Sequence, residues 1–405
     1  MRSSFAICNR RRWALMALSL FVATSHAWSD GNWRDEDVGS VGVAGSYNYD
    51  GATGVHTIQG SGDIWYTSDR FHFVYQVVQG DGILIARLVD QQYTGEFAKA
   101  GPMVRGSMDP GSVNAFLSQT PGRGINFQWR VVNNANSGCL NPGNNGAPVW
   151  MKLIKHGSIV SGYDSPDGDT WVCRGVIQIP FKGTVDFGLA VSSQDDDALS
   201  TATFDNLTLT TVDSFALPDP WLEQDIGTIS IAGGAYQDKG QWELFASGKE
   251  IWGKADAFHY VYQPLNGDGS ITARVNGMTD TDASTEVGIM LRETNAADST
   301  HAALLLTAER GAFFLRRTSP GTEGTDDHFS AISPLWLRLV RQGDTITSYT
   351  STDGTNWKMM GKDSVKMANS VEVGLALASH NVDTLAEASF DHVSVVTGPP
   401  NGAKP

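Results

Sequence analysis

The 405-residue chain matches itself. Asp37 to Gly45 (DVGSVGVAG) aligns with Asp225 to Gly233 (DIGTISIAG), and Asp69 to Gln76 (DRFHFVYQ) with Asp256 to Gln263 (DAFHYVYQ). Trp150 to Leu153 aligns with Trp336 to Leu339, Ser165 to Trp171 with Ser351 to Trp357, and Val185 to Ala190 with Val371 to Ala376. Between the first of these blocks and the last, the offset drifts only from 188 to 186 (225 minus 37; 371 minus 185). Such a register forces two units of similar size. Each is far longer than a solenoid repeat, so each must close its own core and count as a domain. The boundaries read as domains over 28–212 and 221–397, joined by a linker over 213–220 whose Leu217-Pro-Asp-Pro220 blocks both helix and sheet. Residues 398–405 read as a frayed tail.

Within each copy the apolar residues alternate with a period of two. Phe71, Phe73 and Tyr75 point one way; His72, Val74 and Gln76 point the other. Short strands recur between Gly-, Asp-, Asn- and Ser-rich breaks, and Asp-Gly pairs at 81–82, 167–168, 268–269 and 353–354 are hairpin signals. About 185 residues of such pattern exceed an immunoglobulin-like domain, which is nearer about 100. The expected fold is all-β, two tandem jelly-roll β-sandwiches.

The blocks that carry this reading also carry a resemblance. Asp63-Ile-Trp65 with Phe71 to Gln76, Gly101-Pro-Met-Val-Arg105, Trp150 to Leu153, Ser165 to Gly168 with Trp171, and Gly188 to Val191 recur in the second copy. There they are Glu250-Ile-Trp252 with Phe258 to Gln263, Gly288 to Arg292, Trp336 to Leu339, Ser351 to Gly354 with Trp357, and Gly374 to Leu377. This set resembles the bacterial secreted domains called DUF1349, or "regulation of enolase protein 1-like", in the concanavalin A-like lectin/glucanase superfamily. The resemblance implies two concanavalin A-like sandwiches over nearly the whole mature chain. It implies no activity, because that fold hosts lectins, glycosidases, lyases and adhesion modules.

Residues 1–27 read as a cleaved signal peptide. Arg10 to Arg12 precede an apolar stretch from Trp13 to Val22, and Ser25-His26-Ala27 offers a cleavage site. The stretch is shorter than the roughly 20 apolar residues of a transmembrane helix, so membrane insertion is not expected. Cleavage would remove four arginines and no acid, leaving 25 basic against 44 acidic residues, near −19. That charge repels nucleic acid and other polyanions unless a local basic patch intervenes. The chain is therefore expected in the secreted or periplasmic space, as a monomer. There Cys139 and Cys173, the even pair left after Cys8 departs, are expected to form a disulfide.

The strand signature of paired carboxylates used by glycosidases of this fold is absent. The first copy has only Glu36 and Glu96 as glutamates, and Glu286 and Glu293 are seven apart, on opposed faces of a regular strand. A lyase would take His72 or His259 as base and an arginine for the uronate, but Tyr75 and Tyr262 lie on the opposite strand face from those histidines. A glycan-binding site needs less: aromatic platforms and planar polar groups. The candidates are His72, Gln76, Arg105, Asn126, Gln128, Arg130, Trp150 and Lys152 in the first copy. In the second they are His259, Gln263, Arg292, Arg317, Trp336 and Arg338. For each tryptophan, core packing is the competing role, and Trp65 and Trp252 are expected in the core. No catalytic residue and no cofactor is expected. Asp195, Asp197 and Asp383 are calcium candidates against a plain solvated turn. The leading function is a secreted glycan-binding protein without a catalytic site. Its rivals are a polysaccharide lyase or glycoside hydrolase, and an extracellular adhesion module that binds protein.

Overall fold

A computed structural model describes residues 26–27, 33–141, 143 and 146–398. The signal, apart from its last two residues, and nearly all of the tail lie outside them. The described residues hold strands and no α-helix, hence no helix long and apolar enough to cross a membrane.

The first sandwich pairs two antiparallel sheets. One runs Val172–Gln178, Ile159–Ser165, Val149–His156, Asp81–Gln91, Asp195–Val212, Val55–Gly62, Ser46–Asp50, with His26–Ala27 bridging to Thr210 and Thr211. The other runs Gly138–Leu140, Gly124–Arg130, Asn114–Thr120, Lys99–Arg105, Val185–Ser192, Phe71–Val78, Arg34–Val38.

The second sandwich repeats both orders. Lys358–Ser364, Thr345–Ser351, Leu335–Gln342, Gly269–Met278, Ala386–Thr397, Gln241–Ala246 and Gly234–Asp238 form one sheet. Thr325–Phe329, Ala312–Arg317, His301–Thr307, Glu286–Arg292, Ser370–Ala378, Phe258–Asn266 and Leu222–Ile226 form the other. The first-named sheet of each sandwich faces the other sandwich and is called proximal here; the second is distal.

Period-two alternation fills the space between sheets. Val74, Leu84, Phe127, Leu153, Leu189 and Phe204 meet in the first core; Val261, Ile271, Ile289, Phe314, Leu339 and Phe390 meet in the second. The opposite face of the distal sheet is not open, however. Phe71, Phe73 and Tyr75 point outward, and Ile64 and Val38 fold over them as a second apolar layer. The second sandwich does the same with Phe258, Tyr260, Tyr262 and Ile251. The strands Lys99–Arg105, Asn114–Thr120 and Val185–Ser192 are consequently buried at every position. Of the two tryptophans expected in the core, Trp65 is half-buried, and Trp252 remains 36% exposed, edge-on to Phe313.

The two sandwiches touch. Ile154, Ile159 and Tyr163 of the first pack against Tyr236, Phe245 and Leu385 of the second. The linker joins them: the Phe215 ring stacks on Tyr236 with centroids 4.8 Å apart and leans on His156 at 5.8 Å.

Cys139 and Cys173 are unbonded, which corrects the expected disulfide. Cys139 stands on the edge of the distal sheet opposite Gln128, and Cys173 on the edge of the proximal sheet opposite Tyr163. The Cys173 side chain turns away from its own sandwich into the apolar contact with the second one. There burial pushes its thiol pKa up.

Candidate interdomain cleft

Most of the polar candidates read from the sequence are sealed and already partnered. Arg130 and Arg105 are fully buried on one carboxylate, Asp69. Arg130 reaches its two oxygens at 2.6 and 2.7 Å and donates further to the carbonyls of Tyr66, Ala135 and Ser112. Arg105 donates to the carbonyls of Ser107 and Asp109, both at 2.6 Å. In the second sandwich Arg317 and Arg292 close on Asp256 at 2.6 and 3.0 Å. Two guanidinium groups around one carboxylate, with backbone carbonyls taking the remaining donors, hold three loops together and leave nothing for a ligand. This corrects the expectation that these arginines form a ligand-binding face.

The neighbouring candidates are buried as well. Gln128 donates to the Ile64 carbonyl at 2.9 Å and Asn126 is 5% exposed, with Gln128 Oε1 and Asn126 Oδ1 unpartnered among the described residues. His72 and His259 are buried on Asp37 and Asp225, each at 2.8 Å. Burial opposes charge on His259, but the hydrogen bonds that its ring donates to the Asp225 and Glu223 carboxylates outweigh it and raise its pKa. Gln76 and Gln263 are half-buried on their strands. Asp195 and Asp197 form a self-bonded turn, and the Asp383 amide donates to Asn381 Oδ1. Among the described residues no group of three or more His, Cys, Asp or Glu could hold a metal.

The remaining candidates lie on the outer faces of the proximal sheets, and these faces build a site. Trp150 and Lys152 are two apart on one strand, so they share a face. Trp150 is pinned from below by the Ser165–Asp167–Gly168 turn. Ser165 Oγ accepts from the Gly168 amide, Asp167 Oδ1 accepts from the Asp169 and Thr170 amides, and Gly168 lies against the indole at φ +83°. Those donors hold the Asp167 pKa down at about 2. Beyond Trp150, the Lys152 ammonium sits 4.5 Å from the ring centres of both Tyr163 and Trp171.

The second sandwich presents an acidic face to this cation. Phe245 pairs with Glu387, and Glu243 is two residues before Phe245 on the same strand face. Glu243 and Glu387 are therefore diagonal neighbours, within reach of each other. Burial pushes both pKa values up, Glu243 well above the ordinary range, while the Lys152 charge acts against the rise. Burial likewise lowers the Lys152 pKa, against the pull of the two carboxyls. Around this centre opens a cleft of about 1010 Å³, lined from both sandwiches. Its walls include Trp171, Asn276, Arg274 bonded to Asp391, and Arg174 bonded to Asp164. Two buried polar atoms that line it, Tyr163 Oη and Glu243 Oε2, have no hydrogen-bond partner among the described residues.

The geometry limits the chemistry. Glu243 and Glu387 stand side by side on one face, on neighbouring strands of the same sheet. Such carboxyls can donate to and accept from ligand hydroxyls. Sequence reasoning found Lys152 but missed Glu243, Glu387 and Tyr163. One signal was available: in strand register the first copy has Thr57 and Thr201 where the second has Glu243 and Glu387.

No family model matches the chain, and no curated protein does. Solved structures with similar strands include a functionally unknown protein from Saccharomyces cerevisiae, 15% identical, covering 44% of this chain and 96% of that one at a TM-score of 0.36. Arcelin-5, a lectin-like defense protein from Phaseolus vulgaris, is 11% identical over 45% and 94% of the two chains, with a TM-score of 0.32. A GH43 protein from Bacillus licheniformis is 10% identical over 88% and 86%, with a TM-score of 0.33.

Proposed function

We propose that the chain is a secreted or periplasmic glycan-binding protein, monomeric, whose two concanavalin A-like domains of the DUF1349 type grip carbohydrate in the cleft between them. One observation carries this reading. Two buried hydrogen-bonding atoms, one from each sandwich, belong to residues that line a cleft beside a tryptophan and have no partner among the described residues. An orphaned buried polar atom costs about 1–3 kcal/mol, and a ligand hydroxyl reaching both Tyr163 Oη and Glu243 Oε2 removes that cost twice. Trp171 supplies an aromatic wall for the C–H face of a pyranose ring, and Lys152 supplies a donor. The strand of paired carboxylates used by glycosidases of this fold is absent from the sequence, and the protein is not expected to cleave what it binds.

The test is a glycan array on the full chain, followed by titration calorimetry on the best oligosaccharide with Trp171→Ala and Tyr163→Phe. Loss of affinity of about tenfold or more in Trp171→Ala is expected, with no released product. Release of reducing ends or of unsaturated uronates would replace the binding reading with an enzymatic one. Unchanged affinity in both variants would move the ligand out of the cleft.

A further inference from the structure

The outer face of the distal sheet differs between the two copies at one end. In the second sandwich it carries Leu305, Phe313 and Leu315; strand register puts Ser118, Asn126 and Gln128 at the same three places in the first. Leu305 and Leu315 belong to the second apolar layer, and Trp252 meets the Phe313 ring edge-on, centroids 6.5 Å apart. In the first sandwich Ser118 Oγ, Asn126 Oδ1 and Gln128 Oε1 are buried, and all three lack a partner among the described residues. Ser118 and Asn126 stand opposite each other on paired strands, and Gln128 is two residues from Asn126 on the same face. The apolar layer keeps its bulk beside them, since Phe116 replaces Ala303. The segment next to this face also differs. Tyr66 and Gly253 are equivalent: the Tyr66 carbonyl accepts from Arg130 Nη2 at 3.0 Å, and the Gly253 carbonyl from Arg317 Nη2 at 2.9 Å. Both are held in the left-handed region, at φ +53° and +62°. Glycine adopts that conformation freely, whereas a tyrosine is strained in it. Packing does not account for the tyrosine, because its side chain is left 69% exposed, edge-on to Trp65 with centroids 6.3 Å apart.

We infer that the first sandwich holds a second binding site, separate from the cleft, in which Ser118, Asn126 and Gln128 take an uncharged sugar residue beside Trp65 and Tyr66. Native folds leave few buried polar side-chain atoms unpaired, and three on one face call for a polar occupant. The second copy shows the alternative, with apolar side chains at the same places. Gln128 gives its amide nitrogen to the Ile64 carbonyl, so its oxygen can only accept. The Ser118 hydroxyl and the Asn126 amide both donate and accept. Sugar hydroxyls also do both, so neighbouring hydroxyls of one ring match this set. An anion finds no free cation there: Asp63 holds Lys99 at 2.6 Å, and Asp69 holds Arg105 and Arg130. The exposed Tyr66 ring and the half-buried Trp65 supply aromatic surface for the C–H face of a pyranose. Asn126, with 5% of its surface exposed, is the end of the set that reaches solvent. This site goes beyond the cleft reading and shares with it only the ligand class.

The experiment titrates the full chain calorimetrically with β-1,4-linked tetrasaccharides of glucose, mannose, xylose and galactose. It uses the Trp171→Ala chain, in which the cleft has lost its aromatic wall, alone and combined with Tyr66→Gly or Asn126→Phe. Each added substitution installs the residue that the second copy carries. At least one tetrasaccharide is expected to bind the Trp171→Ala chain. Tyr66→Gly and Asn126→Phe are each expected to lower that affinity about tenfold or more, with the melting temperature unchanged or raised. Glycine relieves the backbone at position 66, and phenylalanine fills the place that Phe313 fills. Tyr66→Gly with Trp171 intact reports the cleft alone, so a failed cleft and a failed second site give different patterns. Three results would overturn the inference: no tetrasaccharide binding by the Trp171→Ala chain, binding indifferent to both added substitutions, or affinity lost only together with melting temperature. The first two would leave ordered water as the partner of the three oxygens, and the third would make these residues structural.

Discussion

At the scale of single residues, the buried aspartates decide more than any exposed group. Asp69 and Asp256 each hold two guanidinium groups with no access to water. Removing the carboxylate leaves two buried cations uncompensated, a loss of about 3–5 kcal/mol for a broken buried ion pair. Asp69→Ala is therefore expected to lower the unfolding free energy by that amount, read from urea denaturation, and Asp256→Ala to do the same in the other sandwich. A change under about 1 kcal/mol would show that the hub does not hold the loops. The hub was legible in outline. Each copy keeps one aspartate and two arginines at matching offsets: Asp69 with Arg105 and Arg130, Asp256 with Arg292 and Arg317. Read strand by strand, the alternation puts the arginines on the face opposite the main core, and such a face passes for solvent-facing. What the pattern does not carry is the second apolar layer, because Ile64 and Ile251 come from segments between strands and reach the arginine side by tertiary folding.

At the scale of elements, the Ser-x-Asp-Gly turns set the tryptophans of the proximal faces. Gly354 has φ +74°, and a Cβ there would stand 2.8 Å from the Trp336 ring. Gly343 has φ +58° and open space around it. Gly354→Ala should cost more than about 1 kcal/mol, since alanine is strained at positive φ, and it should also displace Trp336. Gly343→Ala should show the backbone strain alone. Urea midpoints together with tryptophan emission separate the two effects, and equal losses with identical emission spectra would refute the packing role. The sequence marks this turn by its Asp-Gly pair, and Asp353 accepts from the Thr355 and Asn356 amides. It does not show which indole meets the turn: Trp150 and Trp336 lie on the glycine, while Trp171 and Trp357 carry the cations. Strand alternation fixes the face on which a side chain lies but not which of two tryptophans on that face meets a turn.

At the scale of the molecule, the contact between sandwiches is where the two copies stop being equivalent. Duplication and period-two burial were readable end to end. The docking was not, because it depends on which surface of one folded unit meets which surface of the other. The chemistry of that contact makes it sensitive to pH, and the sign follows from the carboxyl pair. Glu243 and Glu387 hold protons more tightly in the folded chain than the roughly 4.3 of a free glutamate. Below that value both states are protonated, and the pair imposes no penalty. As pH rises above it, the unfolded chain ionises first and folding stability falls, by at most about 1.4 kcal/mol per pH unit for each proton retained. Glu243→Gln removes one of the two raised carboxyls and its charge, so that Glu387 ionises more readily. The variant is expected to melt at or above the temperature of the unmodified chain at pH 8, with a shallower decline between pH 5 and pH 8. Lys152→Met should steepen the decline, because the ammonium that offsets the pair is gone. Calorimetric scans at half-unit steps give the three slopes. If they coincide, the carboxyl pair is solvated in the folded protein and does not make the contact between the sandwiches pH-sensitive.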